Sequence, residues 1–234
     1  MTQQTSGTPG SDRVVVVAGA GGPTGQAVVR ALAAGGARVV TADRTAHEWD
    51  DERVTPTVVD LLDRAGTEAW AERVVAEHGR VDGLIHLVGG WRGGKSFGDT
   101  DLADWDFLHD LLIRTLQHTT LAFHERLRSA PGGGRVAIVS QHAARHPTQG
   151  VAAYAAAKAA SETWVLALAD SFAGTESAAT VLVVHALLND AMRAQNPGAA
   201  FDGFTHVDDL AEVIAGLWDR PAAELNGTRL DLSP

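Results

Sequence analysis

The sequence predicts an α/β fold, a single doubly wound parallel sheet with helices on both faces, and three observations carry that expectation. Short apolar, β-branched runs alternate with longer stretches of helical spacing along the chain. Those runs are continuously hydrophobic, the pattern of strands covered by helices on both faces. A glycine cluster directly follows the first run and opens the first helical stretch. With 234 residues, 45% of them hydrophobic and 21% charged, the chain can bury one sizeable core.

Residues 1–12 are rich in Thr, Gln, Ser, Gly and Pro and are expected to form a mobile tail, leaving one domain over 13–234. Strands are expected at 14–18, 38–42, 54–59, 84–88, 136–139, 180–184 and 228–232. Helices are expected at 26–34, 64–77, 102–128, 151–173 and 207–218, with Gly132, Gly133 and Gly134 read as a turn from helix to strand. The absence of cysteine excludes disulfide frameworks and Cys-based zinc sites. Nineteen basic against 29 acidic residues give a formal charge of −10, which argues against a nucleic-acid partner. No apolar run approaches the ~20 residues of a membrane helix, and no basic, apolar leader opens the chain, so no membrane partner and a cytoplasmic location are expected. The ten histidines include no His-Glu-x-x-His or other ligand spacing, and no metal site is expected.

The glycine cluster reads Gly19-Ala20-Gly21-Gly22-Pro23-Thr24-Gly25. Glycine lets a backbone approach a pyrophosphate closely, and a helix N-terminus supplies free N–H groups with a partial positive charge. A tight turn that binds nothing would read alike. Asp43 ends the second strand eighteen residues beyond Gly25, where a carboxylate can accept from the adenosine ribose hydroxyls and repel a 2′-phosphate. NAD is therefore favoured, although the adjacent Arg44 could pair with the phosphate of NADP. Tyr154, the sole tyrosine, precedes Lys158 by four residues on an expected helix, so the two share a face. A neighbouring ammonium favours a phenolate, which makes the pair a usable acid/base couple, expected to hold the phenol below its ordinary range.

Taken together, these residues resemble the short-chain dehydrogenase/reductase family, with its Rossmann-type fold, from Arg13 to about Leu232. The matching features are Gly19, Gly22 and Gly25, then Val59-Asp60-Leu61, Gly89 and Tyr154-x-x-x-Lys158. The resemblance implies an NAD(P)-dependent oxidoreductase in which Tyr154 is the general acid/base and Lys158 tunes it and contacts the nicotinamide ribose. It places the first turn at the pyrophosphate, Asp60 and Leu61 by the adenine and Gly89 along the cofactor. The long helices imply a homodimer or homotetramer.

Departures matter as much. The family's catalytic serine falls at Gln141, with Ser140 one position earlier, so Ser140 shifts into the role, Gln141 donates its amide hydrogen, or neither is required. The Asn-Asn-Ala-Gly after the fourth strand is replaced by His86-Leu87-Val88-Gly89, the helix asparagine by Leu112, and the Pro-Gly after the sixth strand is missing from His185 to Asp190. The missing serine and the segment Val88 to Lys95 more weakly resemble the dihydropteridine reductase branch, which implies a flat, conjugated ring as substrate. Such a substrate delocalises the arriving charge and depends less on an oxyanion donor. Trp91 stacks on that ring or anchors its loop, and His142 and His146 contact substrate or lie in a solvated loop. The competing functions are a nucleotide-binding sensor or scaffold without turnover, and a non-redox cyclase or dehydratase on the same fold.

Overall fold

The computed structural model describes residues 13–234; the expected tail lies outside them. Strand β1 (Val14–Ala18) is buried at every position because successive side chains enter opposite layers. Val14, Val16 and Ala18 join one apolar cluster, and Val15 and Val17 join the other. The chain continues through α1 (Pro23–Ala34), β2 (Arg38–Asp43), β3 (Val54–Val58), α2 (Arg64–His78), β4 (Gly83–His86), α3 (Leu102–Leu108) and α4 (Thr115–Arg128). It then forms β5 (Arg135–Gln141), α5 (Ala152–Ser171), β6 (Ala178–Val184), β7 (Ala186–Leu188) and α6 (Asp190–Gln195). The last elements are β8 (Phe204–His206), α7 (Val207–Ala215), α8 (Ala222–Leu225) and β9 (Arg229–Asp231).

Seven strands form one parallel sheet in the order β3-β2-β1-β4-β5-β6-β9. The order reverses between β1 and β4, which opens a crevice at their carboxyl ends. Helices α2, α4 and α5 cover one face around Trp70, Phe123 and Phe172, with the Trp70 and Phe123 rings edge to face at 5.2 Å. Helices α1, α7 and α8 cover the other around Val28, Leu210, Ile214 and Leu225. No helix among the described residues is long and apolar enough to cross a membrane.

The expected continuous helix 102–128 is corrected: α3 and α4 are joined by a π-helical turn, His109–Arg114. There the Leu112 carbonyl accepts from the Ser161 hydroxyl at 3.0 Å, which fastens this turn to α5. The expected helix 207–218 ends at Ala215 and tightens into a 3₁₀ turn, Gly216–Asp219. The pair β7–β8 and the helices α6 and α8 are additions, each too short to display a hydrophobic period.

The turn after α4 is a turn for a steric reason. Gly132 and Gly133 both have positive φ, +79° and +86°. A side chain at Gly132 would meet open space, whereas one at Gly133 would collide with the Glu176 carbonyl. Arg135 locks the same corner, donating to Glu176 O at 2.8 Å and, across the sheet, to Leu217 O at 3.0 Å. Gly132→Ala should therefore cost only the left-handed backbone penalty, about 1–2 kcal/mol. Gly133→Ala should cost more than about 4 kcal/mol, because backbone must move. Urea unfolding of the two variants checks this, and equal midpoints would contradict it.

Candidate active site

Residues Tyr154, Lys158 and Glu162 succeed one another at helical spacing on one face of α5. The Tyr154 ring packs against the cluster of Leu108, Leu112, Ile113 and Ala157. Lys158 Nζ donates to Val139 O at 2.7 Å and lies 5.9 Å from the Tyr154 ring centre. Burial pushes the Tyr154 phenol up to about 12. Burial also lowers Lys158 to about 8, with Glu162 pulling it back up. The expectation that the ammonium holds the phenol below its ordinary range is thus corrected: desolvation outweighs the nearby charge.

Beside this pair stands His86, 4% exposed, with its Nε2 and Nδ1 each 3.2 Å from the hydroxyls of Thr115 and Thr119. Burial, reinforced by Lys158, lowers its pKa to about 3, so it is a neutral imidazole clasped between two threonines. Leu112, at the family's asparagine position, is buried and apolar.

The two strand-end candidates are placed differently. Ser140 is 1% exposed and its hydroxyl donates to Glu162 Oε1 at 2.6 Å, although the residue also lines the larger of the cavities described below. Gln141 Oε1 accepts from Ala143 N–H, and Nε2 donates to His185 O at 3.0 Å, which leaves one amide hydrogen for the cleft. His142 is not a free loop residue: its Nε2 lies 3.1 Å from both Asp231 Oδ1 and Ser233 Oγ, and its ring meets His185 edge to face. The Ser233 backbone N–H, then His142, hold the Asp231 carboxyl below the usual range. His146 is exposed at the rim, and Trp91 is 58% exposed, so Trp91 does not anchor its loop in the core. That loop docks instead through Gly94 N–H on Gly150 O, 2.7 Å.

At the other end, Gly19 has φ +80°, and a side chain there would lie 2.7 Å from Val88 N. A side chain at Gly25 would collide with Gly19 and Ala20, so both glycines are demanded by backbone packing. Gly22, the N-cap of α1, has open space above it, and Pro23 begins the helix. Asp43 Oδ2 accepts from Gly21 N at 2.9 Å and Oδ1 from Arg44 N at 2.7 Å, so the carboxylate braces the turn. His47 stands 3.7 Å from that carboxylate, with its ring over Gly21. Two cavities meet over these glycines. One, about 350 Å³, is lined by Asp43, Arg44, Asp60 and Leu61; the other, about 780 Å³, by Trp91, Gln141, His142, His146, Tyr154 and Lys158. Both are also lined by Gly19, Gly22, Leu87, Val88 and Gly89, so they form one trough. His47, Glu162, His185 and Asp231 escaped the sequence reading; only Glu162 carried a signal, a third polar residue at four-residue spacing.

The short chain dehydrogenase family model matches residues 13–196, and the chain belongs to that family of NAD(P)-dependent oxidoreductases. It is 33% identical over 158 residues to a probable oxidoreductase, EphD, of Mycobacterium tuberculosis, covering 64% of this chain and 26% of that protein. It is 28% identical to the benzil reductase ((S)-benzoin forming) IRC24 of Saccharomyces cerevisiae, over 49% of this chain and 45% of that one. The chain thus spans well under two thirds of these relatives. In fold it is similar to a 3-ketoacyl-(acyl-carrier-protein) reductase from Brucella melitensis complexed with NADH, with a TM-score of 0.80 at 21% identity, covering 95% of this chain and 97% of the other.

The buried and rim positions at the strand end differ in stability terms. Ser140→Ala should destabilise by about 1–3 kcal/mol, since it leaves the buried Glu162 carboxylate one donor short. Gln141→Ala, on a half-exposed side chain, should cost about 1 kcal/mol or less. Chemical denaturation of both decides the order; the reverse order would mean that the Ser140 hydroxyl faces the cleft.

Proposed function

We propose that this protein is an NAD-preferring reductase of a flat, conjugated carbonyl or imine compound, with Tyr154 as the general acid. The observation that carries this reading is the single trough running from Asp43 across the glycine turn to Tyr154 and Lys158. Its residues fit a dinucleotide: the open space over Gly22 and the N-terminus of α1 suit a pyrophosphate, and Pro23, without an N–H, leaves Thr24 and Gly25 as donors. Asp43 would take the adenosine ribose, Asp60 and Leu61 the adenine and Gly89 the middle of the cofactor, while the exposed Arg44 is the group that would admit a 2′-phosphate. Bound there, the nicotinamide supplies hydride.

Tyr154 enters the reaction protonated, because its phenol titrates at about 12, and this suits delivery of a proton to the reduced substrate. Lys158, at about 8, is mostly an ammonium at neutral pH and steadies the phenolate left behind. Gln141 retains one amide hydrogen for the substrate oxygen. Trp91, His142 and His146 around the trough's mouth offer flat surfaces to a conjugated ring. The yeast relative's name, benzil reductase, supports an aromatic diketone as a trial substrate. Leu121 on α4 and Leu166 on α5, 53% and 38% exposed, would pair two copies as a homodimer or within a homotetramer. A nucleotide-binding protein without turnover is favoured by one feature, Leu112 at the asparagine position.

Absorbance at 340 nm with NADH or NADPH and a panel of ketones and diketones, benzil included, tests the reading. Tyr154→Phe should keep dinucleotide binding and lose roughly 100-fold or more in turnover. Retained turnover would overturn Tyr154 as the acid, and binding without turnover by the unmodified protein would favour the sensor. Activity should fall as pH rises through about 8, because the Lys158 ammonium is then lost. In calorimetric titrations NADH should bind more tightly than NADPH, with Asp43→Ala narrowing the gap; a preference for NADPH would assign the pocket to Arg44. Gln141→Ala should slow turnover by less than about tenfold, under about 1.4 kcal/mol, if the substrate is conjugated.

A further inference from the structure

Glu162 has no part in the mechanism above, yet it is one of the most constrained charged groups in the chain. Its side chain is 7% exposed and lies one helical turn beyond Lys158 on the same face of α5. Oε1 accepts the Ser140 hydroxyl at 2.6 Å, and Arg229 Nε lies 3.2 and 3.1 Å from the two carboxylate oxygens. Arg145, itself half exposed, brings its Nε to 3.8 Å from Oε2. The carboxylate is therefore held by the end of β5, by the turn after it and by β9. Arg229 Nη2 is buried without a hydrogen-bond partner, so among the described residues Glu162 is the group that holds this guanidinium.

We propose that Glu162 is a positioning residue for Lys158: fixed by Ser140 and Arg229, its carboxylate supplies the counter-charge that keeps the Lys158 ammonium charged at the floor of the trough. Among the described residues Lys158 donates to a neutral carbonyl, that of Val139, so hydrogen bonding alone compensates little of the cost of desolvating its charge. An anion one helical turn away offsets that cost without occupying the face of Lys158 turned to Tyr154 and the cleft. The same bond engages the Ser140 hydroxyl, while Gln141 keeps one amide hydrogen free. The charged and titratable groups around Lys158 are Tyr154 and Glu162 on α5, His86 at the end of β4, Arg145 after β5 and Arg229 on β9, with the His142–Asp231 pair beyond them.

The proposal rests on Lys158 being the catalytic lysine, but its test needs no turnover. The chain has two lysines, Lys95 and Lys158, so protein labelled with ¹³C at lysine Cε gives two resonances, assigned with Lys95→Arg. In the cofactor-free protein the Lys158 resonance should titrate near 8. Glu162→Gln should lower that midpoint by roughly one pH unit. Arg229→Gln, which strips the carboxylate of its nearest cation, should raise it, and Arg145→Gln, at a half-exposed residue, should raise it less. A clasp that merely joins β9 to α5 would lower the melting temperature in these variants without moving the midpoint in opposite directions. Unchanged midpoints in every variant that folds, or a shift of the same sign for loss of the anion and loss of a cation, would overturn the proposal. If Glu162→Gln does not fold, the upward shift in the arginine variants decides.

Discussion

The end of the trough that holds Tyr154 depends on the desolvation of one half-buried ammonium group. Lys158 Nζ is tied to the Val139 carbonyl at 2.7 Å, so the residue that is to tune the acid also fastens α5 to β5. That strand is itself fixed from both sides, with His86 paired in register to Ile138 and Gln141 to Val184. Tyr154, one turn earlier on α5, inherits its position from this anchorage. Burial that fixes geometry also sets chemistry, since the same desolvation keeps the phenol protonated and brings the ammonium down to about 8.

The glycine-turn end obeys a related constraint. Gly19 and Gly25 let β1, α1 and the end of β4 approach to backbone contact, and Asp43 braces the turn through the Gly21 N–H. Both ends lie at the carboxyl edges of parallel strands, because the strand order reverses between β1 and β4. Charge is distributed to match. In a chain with 29 acidic residues, no Asp or Glu lines the catalytic part of the trough, while Lys158 and several imidazoles do. That part of the trough therefore presents no like charge to an anionic ligand, whereas the other part carries Asp43, Asp60 and Asp110.

Much of this was legible in the sequence, for identifiable reasons. The β1 valines announced a strand buried on both faces, and the scarcity of tyrosine and lysine made the Tyr154/Lys158 spacing conspicuous. The fold and the juxtaposition of Tyr154 and Lys158 are encoded by local patterns. What stayed hidden depends on contacts distant in the chain. The π-helical turn at His109–Arg114 leaves the apolar spacing nearly intact, and its fastening to Ser161 is a tertiary bond. The partner of the Ser140 hydroxyl is set by Glu162 and Arg229, 22 and 89 residues away from Ser140 in the sequence. His47, His185 and Asp231 belong to no spacing rule, and burial, which reverses the expected direction of the Tyr154 shift, cannot be read from a helix face.

The central claim, that burial raises the Tyr154 phenol above the ordinary tyrosine range, is open to a direct spectroscopic measurement. Tyr154 is the only tyrosine, so the rise in tyrosinate absorbance near 295 nm on raising the pH reports it alone against the six tryptophans. In the cofactor-free, folded protein no tyrosinate should be detected at pH ~10, where an ordinary tyrosine is half ionised. A phenol already half or more ionised at that pH would contradict the account, because burial would then not raise Tyr154 above the ordinary tyrosine range and it would not be held in reserve as a protonated group.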